Sequence, residues 1–109
     1  MNTKININYE GTDYVLEYNR ESIEVMERRG FIVSELDQKP MLMLPMAFQG
    51  LFYKNHKNIK NSTIDDIYNK LKDKQKLLET IGNMLSEAYN TLLETTEDDK
   101  GNLDWEIVG

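Results

Sequence analysis

Few residues in the sequence have side chains that could carry out chemistry. His56 is the single histidine, and it stands in a polar stretch between Asn55 and Lys57. A histidine that acts as a general base needs a nucleophile or an oriented acid nearby, and one that binds a metal needs companion ligands. The sequence around His56 offers neither. We therefore expect a surface or helix-end histidine, stabilised near the negative end of a helix.

The adjacent carboxylates of Asp65 and Asp66 could form an acid pair or a metal site. Their place at a predicted helix start explains them more simply, because negative charge is favourable there. The absence of cysteine excludes a disulfide framework, a thiol nucleophile and a cysteine metal site. No phosphate loop, nucleophile elbow or paired metal motif is present. We predict a non-enzymatic protein with no catalytic residues, metal or cofactor.

The composition is that of one soluble domain. The 109 residues are 39% hydrophobic and 29% charged, with a net charge of -6. The longest apolar run, 41–53, is shorter than the roughly 20 residues needed to span a bilayer. No signal peptide is visible at the start of the chain. We expect a cytoplasmic protein with no membrane partner.

Charge is distributed unevenly along the chain. Residues 54–76 carry seven lysines and three acids, whereas residues 77–109 carry one lysine and eight acids. The lysines could bind nucleic acid, with Tyr53 and Tyr68 stacking on bases. We favour a solvated lysine face, since the acidic balance of the whole chain opposes phosphate binding. The acidic tail of a neighbouring subunit is an equally good partner, so a homo-oligomer remains an open alternative.

Residues 3–18 alternate between apolar and polar side chains, the pattern of a β-hairpin with one buried face. A two-residue turn at Glu10 and Gly11 would place Lys4 opposite Glu17, whereas a longer loop would lose that pair. We prefer the two-residue turn. The pairs it predicts are Tyr9 with Thr12, Ile7 with Tyr14, and Ile5 with Leu16.

The remaining chain shows helical periodicity. Asn19 is a predicted N-cap and Gly30 a predicted stop for the first helix. Ser62 is the predicted cap of the third. Pro45 must lie in the first turn of the second helix or kink it, and Gly50 could allow a close helix crossing. The predicted helices cover about 20–29, 42–56, 63–72 and 75–95.

Together these patterns predict an α+β fold, with an N-terminal two-stranded β-hairpin packed on a bundle of about four α-helices. A single domain would cover residues 1–95, followed by an acidic linker and an apolar C-terminal tail over 96–109.

Candidate protein-binding residues are apolar rather than polar. Methionine is flexible, so the group formed by Met41, Met43 and Met46 predicts an adaptable binding surface, with ordinary core filling as the alternative. Trp105 either docks on its own domain or anchors a partner. The full set of candidates is Met41, Met43, Met46, Phe48, Tyr89, Leu92 and Trp105.

The order of several short motifs resembles a known group of proteins. After the strand Tyr-Val-Leu-Glu-Tyr come Asn-Arg-Glu-Ser-Ile, Glu-Arg-Arg-Gly-Phe, Lys-Pro-Met-Leu-Met-Leu-Pro and Ala-Phe-Gln-Gly-Leu-Phe-Tyr-Lys-Asn-His. Over roughly residues 4–95, the chain resembles small proteins from phages and prophages of Gram-positive bacteria. It is similar to the tail assembly chaperones of long-tailed siphophages.

This resemblance implies a protein that binds the tail tape measure protein and the major tail tube protein before the tail polymerises. It implies action in the host cytoplasm, absence from the mature virion and no catalytic residues. An alternative is a phage or prophage adaptor or inhibitor that binds a host protein, for instance by mimicking nucleic acid. The uneven charge is the observation that supports the alternative.

Overall fold

The chain opens with a hairpin whose register is the predicted one. The computed structural model describes residues 3–93 and 106–108. Strand β1 (Ile5–Tyr9) pairs antiparallel with β2 (Thr12–Leu16), so that Ile7 lies opposite Tyr14. Both turn residues, Glu10 and Gly11, have positive φ, at 52° and 82°. This is the geometry of a two-residue type I′ turn, whose twist matches that of the strands.

Helix α1 (Arg20–Arg28) begins and ends where its sequence signals predicted. The Asn19 side chain accepts a hydrogen bond from the Ser22 amide at 2.7 Å, and the Ser22 hydroxyl accepts one from the Asn19 amide at 2.8 Å. Gly30 has a φ of 101°, and the next amide, that of Phe31, donates back to the Met26 carbonyl at 3.0 Å. The helix therefore has a capping box at its start and a left-handed glycine at its end.

Helix α2 (Pro40–Gly50) follows a 3₁₀ turn (Val33–Glu35) and is shorter than predicted. The prediction of helix through residue 56 is wrong. From Leu51 to Tyr53 each amide donates to the carbonyl three residues before it, which tightens the chain out of the α-helix. Pro40 lies at the helix start, while Pro45 lies further inside, beyond the first turn.

Helices α3 (Asn61–Lys70) and α4 (Lys74–Leu93) are joined at Leu71–Asp73. The prediction of Ser62 as the cap of α3 is wrong, because the first turn is anchored on the Lys60 carbonyl, which accepts from Thr63 and Ile64 amides. At the joint, Asp73 has a φ of 55° and its carboxylate accepts from the Lys76 amide at 3.1 Å. This acid caps the first turn of α4.

One core lies between the inner face of the hairpin and the four helices, which confirms the α+β fold class. Helix α2 lies at its centre and contacts α1, α3, α4 and the 3₁₀ turn. The largest fully buried apolar side chains are Phe48, Phe52, Leu16, Leu51, Ile67, Ile81 and Leu85.

Candidate functional site

Four large apolar side chains between residues 32 and 42 lie exposed on the surface. Met41 is 88% exposed and Leu42 64%, both in the first turn of α2. Ile32 and Val33, at the 3₁₀ turn that packs against α2, are 48% and 40% exposed. We call these four residues the 32–42 patch. Exposed apolar groups gathered in this way are typical of protein-binding surfaces.

The fold separates the three methionines that the sequence grouped together. Met41 points to solvent, whereas Met43 is in the core at 7% exposure. Met46 is partly buried and approaches Gly30 at the end of α1. Phe48 is fully buried, with its ring centroid 5.3 Å from that of Phe52. A role of Met41, Met43, Met46 and Phe48 in binding stays a prediction. Met43 and Phe48 lie in the core of the fold.

Sequence reasoning missed Leu42, Ile32 and Val33 as surface residues. The first half of α2 is apolar on every side, and such a helix cannot bury all of its faces in a small domain. That pattern was the available signal, but it does not say which face remains outside.

A shallow groove of about 340 Å³ runs beside Val33, between the 3₁₀ turn and α4. Leu85 and Tyr89 form part of its wall. The Tyr89 hydroxyl donates to the Glu27 carboxylate at 2.8 Å and so ties α4 to α1. Burial, aided by Glu27, raises the Tyr89 pKa well above its ordinary value. The side chains of the other two candidates, Leu92 and Trp105, lie outside the described part of the structure.

The two tyrosines proposed to stack on bases already have partners. The Lys57 ammonium lies 4.9 Å from the Tyr53 ring centroid, and the Lys74 ammonium lies 5.0 Å from that of Tyr68. The Tyr68 ring also lies 5.4 Å from the Phe48 ring in the core. Three of the seven lysines in residues 54–76, Lys57, Lys70 and Lys74, therefore lie over aromatic rings of their own chain.

His56 is a structural residue that holds the outer edge of β2. The Val15 amide donates to His56 Nε2 at 3.0 Å, and the Asn55 side-chain amide donates to the Val15 carbonyl at 3.1 Å. One step along the strand, the Glu17 amide donates to the Leu51 carbonyl at 3.3 Å. The chain after α2 thus satisfies the main-chain groups that an edge strand otherwise leaves open.

Glu17 is a nearly buried carboxylate, 5% exposed, in the same place. It accepts hydrogen bonds from Lys54 Nζ at 2.9 Å and from Asn55 Nδ2 at 3.0 Å. Lys4 Nζ lies 3.9 Å away, which confirms the predicted cross-strand pair. The hydrogen bond from Lys54 and then that from Asn55 lower the pKa of Glu17 below its ordinary value.

A small cavity of about 120 Å³ lies between α1, α2 and the start of α3. Met26, Met46, Tyr53 and His56 are among the residues that line it. Sites for small organic ligands usually enclose about 300 to 1,000 Å³. This cavity is too small for such a ligand.

Comparison with protein families gives a match over most of the chain. A model of a domain of unknown function, DUF5055, matches residues 1–108. The chain belongs to the DUF5055 family. Searches of the curated proteins and of the solved structures found no match to the chain.

The described surface of this DUF5055 protein, residues 3–93 and 106–108, holds no group of three or more potential metal-ligating side chains. Over the same residues no helix has both the length and the apolar character needed to cross a membrane. What this surface does offer is the 32–42 patch with the adjoining groove along α4. That arrangement is suited to binding an apolar segment of another protein.

Proposed function

We propose that this DUF5055 protein is a non-enzymatic phage tail assembly chaperone. It binds the tape measure and tail tube proteins in the host cytoplasm before the tail polymerises, and it leaves before the virion matures. The sequence resemblance over residues 4–95 supports this proposal. The structural observation that carries it is the exposure of Met41 and Leu42, at 88% and 64%, on the first turn of α2.

A chaperone that holds apolar segments in solution needs an apolar surface that adapts to different side chains. Met41 supplies a flexible thioether, and Leu42 lies beside it in the same helical turn. Val33, in the 3₁₀ turn that packs against α2, also lines the groove of about 340 Å³ along α4. The net charge of -6 would help to keep a complex with an apolar client in solution.

Genome position gives a first test. A gene located between those of the major tail protein and the tape measure protein supports the chaperone. An accessory location instead supports the adaptor or inhibitor of a host protein.

Binding gives the decisive test, by co-expression with the tape measure protein encoded in the same phage or prophage. We expect the wild-type protein to keep the tape measure protein soluble and to copurify with it. The variant Met41→Ser/Leu42→Ser should lose about thirtyfold or more in affinity, since each of the two apolar contacts contributes about 1 kcal/mol or more. Met43→Ser is unsuitable, because Met43 belongs to the core.

A second variant, Ile107→Ser/Val108→Ser, removes two apolar side chains of 88% and 86% exposure and tests the C-terminal segment as an alternative client site. Loss of capture with this variant and not with the patch variant would move the client site away from the 32–42 patch. A tape measure protein that neither binds the wild type nor depends on it for solubility would overturn the chaperone function itself.

A further inference from the structure

The two edges of the hairpin differ. The outer edge of β2 is covered by Leu51, Asn55 and His56, as described above. On β1, the alternation of an antiparallel pair directs the main-chain groups of Asn6 and Asn8 away from β2. Across residues 3–93 and 106–108, no other element forms main-chain hydrogen bonds with this edge. Strand β1 therefore presents an open template for one more strand.

A groove of about 380 Å³ lies directly beside this open edge, and we call it the β1 groove. It runs between β1 and the joint of α3 and α4. Its apolar wall is formed by Ile5, Ile7, Leu71 and Leu77.

Three lysines also line the β1 groove, namely Lys4, Lys72 and Lys76. Lys72 and Lys76 are exposed, and within the described ranges neither ammonium group has a carboxylate partner. Asp73 is the one acid in the lining, and its carboxylate accepts from the Lys76 amide, so the rim keeps a net positive charge. The groove therefore combines an apolar wall, a positive rim and free main-chain groups. An extended segment with alternating apolar and acidic residues would complement all three.

The chain itself contains such a segment. In residues 103–108, Leu103, Trp105 and Ile107 alternate with Asp104 and Glu106. Residues 97–109 carry five acids and one lysine. Ile107 is 88% exposed, and the next residue, Val108, is 86% exposed. Since the family match runs through residue 108, this segment belongs to the common DUF5055 unit.

We propose that residues 103–108 of one copy add as a third strand to β1 of a second copy. The apolar face of the added strand fills the β1 groove, and its acidic face and the acids before it lie near the lysine rim. A second copy is the favoured donor, because among residues 3–93 and 106–108 of one chain Ile107 is exposed and the β1 groove is open. Reciprocal exchange between two copies covers both surfaces and forms a closed dimer. The proposal concerns self-association and holds whichever client the protein binds.

Trp105 makes the contact directly observable, since it is the single tryptophan of the chain. The experiment measures molecular mass by sedimentation equilibrium and Trp105 fluorescence over the same range of protein concentration. We expect the mass to rise from monomer to dimer. The emission of Trp105 should shift to the blue with the same midpoint, because docking moves the indole from water into an apolar groove. Added salt should raise the midpoint concentration.

The variant Lys72→Glu/Lys76→Glu reverses the charge of two lysines of the rim and leaves the core unchanged. We expect it to raise the dissociation constant of the dimer at least about tenfold. The matched control Arg29→Glu/Lys60→Glu makes the same change in charge outside the groove. Both residues are exposed and, like Lys72 and Lys76, neither has a carboxylate partner among the described residues. It should dimerise like the wild type. Adding Asp104→Lys/Glu106→Lys to the rim variant should restore dimerisation.

Three results would overturn the proposal. A monomer with constant, water-like Trp105 emission would show that the segment does not dock. A blue-shifted emission that is independent of concentration in a monomer would show docking on its own chain. Equal weakening by the rim variant and the control would show that the β1 groove is not the contact.

Discussion

The amide of Val15 donates a hydrogen bond to His56 Nε2 at 3.0 Å, although the two residues are 41 positions apart. The bond requires a free lone pair on Nε2, so the ring accepts there and does not act as a donor. The Tyr14 ring, 5.0 Å away between centroids, holds the imidazole edge-on. His56, the single histidine and the first candidate for a catalytic group, therefore serves as a hydrogen-bond acceptor for the edge of β2. Because β2 is closed in this way, β1 is the edge of the hairpin that remains open in the part of the chain that the structure describes.

Replacing His56 with phenylalanine should keep the ring contacts and lose the acceptor. We expect a loss of about 1 to 3 kcal/mol in the free energy of unfolding, since the Val15 amide would lack its partner. Hydrogen exchange at the Val15 amide is the specific measurement, alongside urea denaturation. Unchanged protection of that amide in the variant would contradict the role assigned to His56.

Glu17 should make stability depend on pH in the acid range. Its pKa is lowered in the folded protein, chiefly by the Lys54 hydrogen bond. Its contribution is therefore complete above the ordinary pKa of an unfolded glutamate and is lost as the pH falls through the lower folded value. Glu17→Gln should cost about 1 to 3 kcal/mol at neutral pH and flatten the acid limb of the stability curve.

The control for Glu17 is Glu79→Gln, an exposed acid on α4 whose partner is Gln75 at 3.5 Å. It should change stability by less than about 0.5 kcal/mol. If both variants show the same acid limb as the wild type, Glu17 is not the group that titrates with unfolding.

Two glycines provide a matched test of helix packing. A Cβ on Gly50 would overlap the Met26 side chain of α1, whereas a Cβ on Gly82 in α4 would meet nothing within 4 Å. Gly50→Ala should therefore destabilise the protein by about 1 to 3 kcal/mol through overpacking. Gly82→Ala should stabilise it by about 0.5 to 1 kcal/mol through helix propensity. Thermal or urea unfolding measures both, and a stabilising Gly50→Ala would refute the close crossing of α1 and α2.

Ionisation of Tyr18 should account for part of the loss of stability at alkaline pH. Its hydroxyl donates to the Ala47 carbonyl at 2.6 Å, and burial raises its pKa well above the ordinary value. The folded state holds the proton more tightly than the unfolded one, so stability is complete below about pH 10 and falls as the pH rises above it. Tyr18→Phe should lose about 1 to 3 kcal/mol at neutral pH.

The same Tyr18→Phe variant should show a shallower decline between about pH 10 and 12 than the wild type, measured by urea unfolding. A decline as steep as that of the wild type would assign the alkaline response to other tyrosines, such as Tyr89.

Features that depend on neighbouring residues were predictable. The turn at Glu10 and Gly11 followed from the alternation on either side of it, and its register then paired Lys4 with Glu17. The capping box of α1 likewise depends on residues only three apart, Asn19 and Ser22. In each case the decisive contact is local, so the residue types alone restrict the backbone to few alternatives.

Features that depend on distant partners were not predictable. The end of α2 at Gly50, six residues before the expected end, accompanies the docking of Asn55 and His56 on β2. The division of the methionines depends on how α2 is rotated in the core, which buries Met43 and leaves Met41 outside. Periodicity could not settle that rotation, because this helix is apolar on nearly every side.

The sequence by itself determined the α+β fold class, the two-residue turn of the hairpin, the presence of four helices and the uneven distribution of charge. These properties follow from local propensity, periodicity and composition, which act between residues close in the chain. The tertiary structure alone decided that His56 binds the outer edge of β2 and that the 32–42 patch includes Leu42. It also decided that the β1 groove is open among the described residues. Those outcomes depend on which surfaces meet in the folded chain, as with Val15 and His56, which lie 41 positions apart. Burial and hydrogen-bond satisfaction are properties of the assembled fold rather than of any one segment.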